Sequence, residues 1–178
     1  MSVTRWDSES NTVPFHPLTE ADVIALVNRA LSGNSRHTTT YKYAFFKSII
    51  DNVFNVDINS KLLTYDNLAS RFTEIYWNLV LNYHLRQEIK TSQHEYTSVE
   101  KELFAFCEKY KFNYSEKLSI FPFESLRSDL QLEITKKIKA QMMKYVVSAF
   151  CGDTDDQFYH FNKKDKTEGR FLCISKQT

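Results

Sequence analysis

The residues able to do chemistry are present in this chain, but they are scattered. The five histidines, His16, His37, His84, His94 and His160, never fall four apart, and HExxH is absent. No helix face can therefore offer two imidazoles to one metal ion from local spacing. The three cysteines, Cys107, Cys151 and Cys173, form no CxxC and leave an odd count. That argues against a zinc knuckle and against a disulfide framework. Cys107, inside FAFCEKY, reads as a small core residue. His84 and Arg86, beside Tyr83, read as the polar side of a helix or strand. Phosphate-cradling loops and nucleophile elbows need glycines at fixed spacing, and the three glycines here are isolated. No catalytic residue, metal or cofactor is expected in this chain.

Local charge is the stronger signal. The net charge is only +1, so no global field marks a nucleic-acid or membrane partner, and any basic site must be local. From Val23 to Ile50 there is no Asp or Glu, while Arg29, Arg36, Lys42 and Lys47 occur there. From Ile134 to Ala149 acids are again absent, with Lys136, Lys137, Lys139 and Lys144 present. Near the end, Lys163, Lys164 and Lys166 stand against Asp165 and Glu168. If the two acid-free stretches converge, Arg36, His37, Lys42, Lys47, Lys136, Lys137, Lys139 and Lys144 are the candidate contacts to backbone phosphates. The bland alternative is a solvated helix face.

Lys42, in TTTYKYAFFK, is the odd member of that set. On a helical wheel Phe46, Ile49 and Val53 fall within about 40° of it, and Lys47, Ser48, Asp51 and Asn52 lie opposite. A buried ammonium is costly unless compensated, and a cation near a helix N-terminus opposes the helix dipole. Lys42 must snorkel past the helix start, find a carboxylate, or meet a ligand phosphate.

The elements that would position these residues are mostly helices. The 178 residues suggest one domain, rich in Phe and Tyr (14 and 10) and poor in Gly and Pro (three each). Residues 1–17 read as a flexible arm, and 18–178 as a single helical domain. A first helix is expected over about 19–32, opened by Thr19 and Asp22 and stopped by Gly33. A second is expected over about 40–55, capped by Thr39 or Thr40. A third starts at Thr64, with Tyr65, Leu68, Ala69, Phe72, Ile75 and Tyr76 on one face. Residues 77–90 read as helical or as a short extended piece. Thr97 and Glu100 predict another capping box, opening a helix over about 97–111. The longest helix is expected over about 124–150, ended by Gly152. A terminal β-hairpin over about 157–174 completes a mainly α fold.

Three segments carry a family resemblance: TYKYAFFKSIIDNV (40–53), LTYDNLASRFTEIYW (63–77) and QFYHF (157–161). Together they resemble the N-terminal, non-catalytic region of bacterial HNH-type endonuclease proteins. Tyr41, Lys42 and Ala44 match the first motif of that family. Leu63, Asn67, Leu68 and Ala69 match the second, and Tyr76-Trp77 match its end. The family's ββα-metal nuclease has no His-Asn-His series here, and Asn78 follows Trp77 where relatives often carry proline. The resemblance thus implies an accessory half, and no nuclease active-site residue carries over. The first half, helix–connector–helix, also resembles the opening of a winged-helix domain.

These readings converge on an accessory domain of a bacterial DNA-cleaving system, such as restriction or phage defence. Its partners would be DNA, held through backbone phosphates, and a nuclease module or partner protein. The alternative is a protein-interaction module or homodimer, docking through Phe45-Phe46, Tyr76-Trp77 or Phe104-Ala-Phe106. MSVTRWDSES has no signal-peptide core, and no run approaches the roughly 20 apolar residues of a membrane span. A cytoplasmic protein with no membrane partner is the expectation.

Overall fold

The computed structural model describes residues 19–32, 40–53, 62–85, 87, 96–113, 120–154, 159–160 and 171–174. The expected arm over 1–17 and the Gly33 stop lie outside them. The described protein is mainly helical. Its elements are α1 (Glu20–Leu31), α2 (Tyr41–Asn52), β1 (Leu62–Thr64), α3 (Tyr65–Tyr76), α4 (Ser98–Lys109), α5 (Ser128–Tyr145), α6 (Val147–Asp153), β2 (Tyr159–His160) and β3 (Phe171–Ile174).

The helix starts follow from short polar side chains. Thr19 and Asp22 form a capping box on α1, as do Thr97 and Glu100 on α4. The Thr64 hydroxyl accepts from the Asn67 N–H at 3.0 Å and opens α3. Thr40 occupies the N-cap position of α2, but its side chain makes no cap bond. At its C-terminus α4 is closed by Lys111, whose φ of 53° is left-handed. The Phe112 N–H donates to Cys107 O at 3.0 Å and the Lys111 N–H to Glu108 O at 3.1 Å, the pairing of a Schellman stop.

Helix α3 is the centre of the body. It packs against α2 on one side and α5 on the other, while α4 lies on α5, and α6 touches α5 and α1. Tyr65, Leu68, Ala69, Phe72 and Tyr76 are buried from α3, with Ile75 half-buried. Trp77 is fully buried. It donates its indole N–H to Phe121 O at 2.9 Å, and its ring meets Phe106, Phe121 and Phe123. Phe45 and Phe106 are also fully buried, and Phe46 and Phe104 are half-buried against the same core. The aromatic pairs expected as docking surfaces are therefore largely packed inside.

Two expectations on helix length change. Within the stretch 77–90, of which 86 and 88–90 lie outside the described residues, Trp77–Asn82 continue α3 as a π-helix that buries Trp77, Val80 and Leu81. His84 follows with a left-handed φ of 54°. The expected helix over 124–150 is divided. Phe123–Ser125 form a short 3₁₀ turn, α5 starts at Ser128, and Val146, with φ stretched to −109° but still in the right-handed helical region, separates α5 from α6. Val146 and Val147 are adjacent β-branched residues, both buried, and such side chains lower helix propensity. Gly152 lies within α6 and does not terminate it.

The described strands are short. β1 lies in the connector between α2 and α3 and pairs antiparallel with β3, Leu63 opposite Leu172. β2 pairs antiparallel with β3, Tyr159 opposite Ile174, giving the order β1–β3–β2. Much of the expected hairpin, residues 157–158 and 161–170, lies outside the described residues.

Candidate functional site

Lys42 resolves into one of its three options. It is only 5% exposed, in the first turn of α2, and its ammonium pairs with the Asp153 carboxylate at the end of α6. Asp153 keeps 29% of its side chain exposed. Each charge opposes the dipole of its own helix, a cation at an N-terminus and an anion at a C-terminus. Bringing the two ends together lets each offset the other. Thr154 then closes α6, its hydroxyl donating to Phe150 O at 3.1 Å and to Cys151 O at 2.9 Å. Lys42 and Asp153 thus form a clasp between the start of α2 and the last turn of α6.

Several other buried polar groups gather at the same end of α2. The Thr40 hydroxyl, 2.8 Å from Tyr76 Oη, donates to Gln87 Oε1. Tyr41 Oη accepts from the Val99 N–H at 3.2 Å. Glu100 accepts from the N–H groups of Thr97 at 2.7 Å and Gln87 at 3.3 Å. Thr40 therefore ties α2 to α3 and to the segment before α4, which is why it gives up its capping role. Burial holds the Tyr76 hydroxyl well above the usual phenol range, opposed by the bond with Thr40. A protonated phenol and a carboxylate bound to backbone N–H groups make a rigid joint, not an acid–base pair.

Most of the sequence-predicted cations among the described residues have carboxylate partners. Lys47 on α2 pairs with Asp51 at 3.1 Å, and Arg71 Nε from α3 reaches the same carboxylate at 2.6 Å. Burial alone would raise the Asp51 carboxyl, but the hydrogen bonds from Arg71 and Lys47 outweigh it and hold it below its usual value. Lys139 on α5 reaches Asp66 of α3 at 2.7 Å, and Lys137 reaches Glu102 of α4 at 3.7 Å. Lys144 lies over the Tyr145 ring, 4.7 Å from its centroid. Lys136 is exposed and has no carboxylate partner among the described residues. Arg36 and His37 lie outside the described residues. The flanks of α3 bring Lys47, Arg71 and Lys139 onto one helix, but Asp51, Glu74 and Asp66 stand beside them, so these charges sum to zero.

This pairing explains the acid-free stretches. Of the lysines of α5, Lys137 and Lys139 find acids on neighbouring helices α4 and α3, and Lys42 finds one on α6. No local pattern in the sequence marks Asp66, Glu102 or Asp153 as the partners.

Nucleophile and metal chemistry gains no support from the arrangement. Cys107 and Cys151 are buried, and burial pushes the Cys107 thiol up to about 12. Among the described residues no group of three or more His, Cys, Asp and Glu side chains is placed to hold a metal ion. Among the same residues, no helix is long and apolar enough to cross a membrane. Comparison with protein-family models, with curated proteins and with solved structures gives no match for this chain.

Proposed function

We propose that this chain is a non-catalytic accessory domain of a bacterial HNH-type endonuclease system. It positions a nuclease module carried elsewhere and meets DNA through backbone phosphates alone. The reading includes a winged-helix-like first half, α2–β1–α3, and a terminal hairpin built on β2 and β3. One observation carries it. The positions behind the resemblance are mostly those that build the α2–α3 joint: Tyr41, Ala44, Leu63, Leu68, Ala69, Tyr76 and Trp77 are buried, and Lys42 makes the clasp. A match at such positions speaks for a shared domain, not for shared chemistry.

With most cations neutralised, the DNA contact is small. It rests on exposed Lys136 and Lys144, together with Arg36 and His37. Titration of labelled duplex DNA against salt tests this. The expected result is weak binding whose logarithmic salt slope corresponds to about 2–3 phosphates, reduced by about one in Lys136→Ala. Absence of binding at low salt, or binding indifferent to salt, overturns the DNA contact.

The second reading, a protein-interaction module, is favoured by a different observation. Tyr43, Ile50 and Val53 on α2 are 54%, 47% and 39% exposed. These large apolar side chains are not the aromatic pairs that the sequence marks for docking.

A further inference from the structure

We infer that α2 is a self-association surface, on which two copies of this chain pack antiparallel about a two-fold axis. Tyr43, Phe46, Ile50 and Val53 fall within about 80° of one another on the helix. Phe46 is half-buried, stacked on Phe150, and the other three are exposed. The opposite face of α2 is buried through Tyr41, Phe45, Ser48, Ile49 and Asn52. The outer stripe is therefore not a misassigned part of the core. Other exposed apolar residues, such as Ile24, Tyr83 and Leu132, stand on separate elements, as is normal for a protein surface.

The occupant follows from the charges beside the stripe. Lys47, whose side chain is 55% exposed, and Asp51 lie on the same flank of α2. A two-fold axis perpendicular to both helices keeps that flank on the same side in both copies. With the axis level with residue 48, Tyr43 faces Val53 of the second copy, and Phe46 faces Ile50. Lys47 then lies about two residues, or roughly 3 Å along the helix, from Asp51 of the second copy. The same contact repeats by symmetry. A parallel arrangement would bring like residues level with one another and lose this match. Lys47 and Asp51 pair within each copy, and across the axis they and their symmetry mates form a neutral set of alternating sign, which matches a second copy better than a partner of one charge sign.

The surface is small. A helix of 12 residues is about 18 Å long, short of a standard interface, so association is weak and depends on concentration. The inference does not rest on the endonuclease reading.

Sedimentation velocity on the full chain from about 5 to about 300 µM tests it. A rise from monomer to dimer across that range is expected. Ile50→Glu stays monomeric throughout with an unchanged melting temperature, and Val53→Lys does the same from the other end of the stripe. Lys47→Glu sets like charges against Asp51 and raises the midpoint concentration several-fold, whereas Lys136→Glu leaves it unchanged. A monomer at every concentration overturns the inference. So does a dimer whose midpoint ignores Ile50→Glu and Val53→Lys, or one that shifts equally with Lys136→Glu.

Discussion

The Lys42–Asp153 pair between α2 and α6 and the Lys139–Asp66 pair between α5 and α3 use the same chemistry in different media. In the first, the ammonium is buried and its carboxylate only partly exposed. In the second, Asp66 is largely in water and Lys139 sits at the edge of the body. A surface pair gains little, because water screens it and two long side chains lose freedom. A buried pair does not earn its place by net stabilisation either, since removing two ions from water costs several kcal/mol. Its force lies in the consequence of breaking it. Lys42 therefore acts as a registration device, fixing which turn of α6 meets the start of α2.

The comparison can be broken most directly at Asp153. Asp153→Ala leaves a buried ammonium with no counter-charge, and chemical denaturation should show a loss of about 3–5 kcal/mol. Lys42→Met keeps the apolar stem and leaves a carboxylate that can turn to water, so its loss should be less than half as large. The pair Lys42→Met with Asp153→Leu should recover most of the stability lost in Asp153→Ala. A double variant as unstable as Asp153→Ala would show that the charges themselves are required.

At the surface the expected effects shrink. Lys139→Ala should cost about 0–1 kcal/mol, and less at high salt. A loss comparable to that of Asp153→Ala would erase the distinction between the two sites. The smallest effect should be one of pH. Hydrogen bonds from Lys109 and then Tyr110 hold the half-buried Glu133 carboxyl below its usual value. A lowered folded value adds stability that is fully present above the unfolded value of about 4.3 and is lost as pH falls through the folded value. The melting temperature of the unaltered chain should therefore fall more steeply in acid than that of Glu133→Gln. Parallel curves for the two would remove Glu133 from the acid response.

The parts of this fold legible in the sequence are those decided within one turn of helix. Thr19 with Asp22 and Thr97 with Glu100 form their capping boxes, and the face of α3 is buried as its periodicity predicts. These features depend on residues three or four apart. The division near Val146 is not legible in the same way, because no proline or glycine marks it, and the buried pair Val146-Val147 where it falls is no stop signal in sequence. Lys42 shows the intermediate case. The wheel predicts that it turns inward and needs a partner, but the choice of Asp153 requires the tertiary fold. The pairing within the basic stretches is out of reach of the sequence for a related reason. Charge balance along the chain says nothing of which carboxylates neighbouring helices deliver, and here they deliver Asp66 and Glu102 to the lysines of α5.

The π-helix after α3 has a consequence for chain length. Between Trp77 and Asn82 the backbone is wound more loosely than an α-helix, so this stretch holds a residue that α geometry would not need there. Deleting one residue here would let ordinary helix run through and keep the following residues in phase, whereas the same deletion in the regular turns of α3 would swing them by about 100° around the axis. Tyr83, His84 and Leu85 lead directly to the segment whose Gln87 binds Thr40 and Glu100. A single-residue deletion within α3 thus reaches the start of α2, while one in the π stretch does not. The tolerance of this region to insertions and deletions is set by that phase rather than by its exposure.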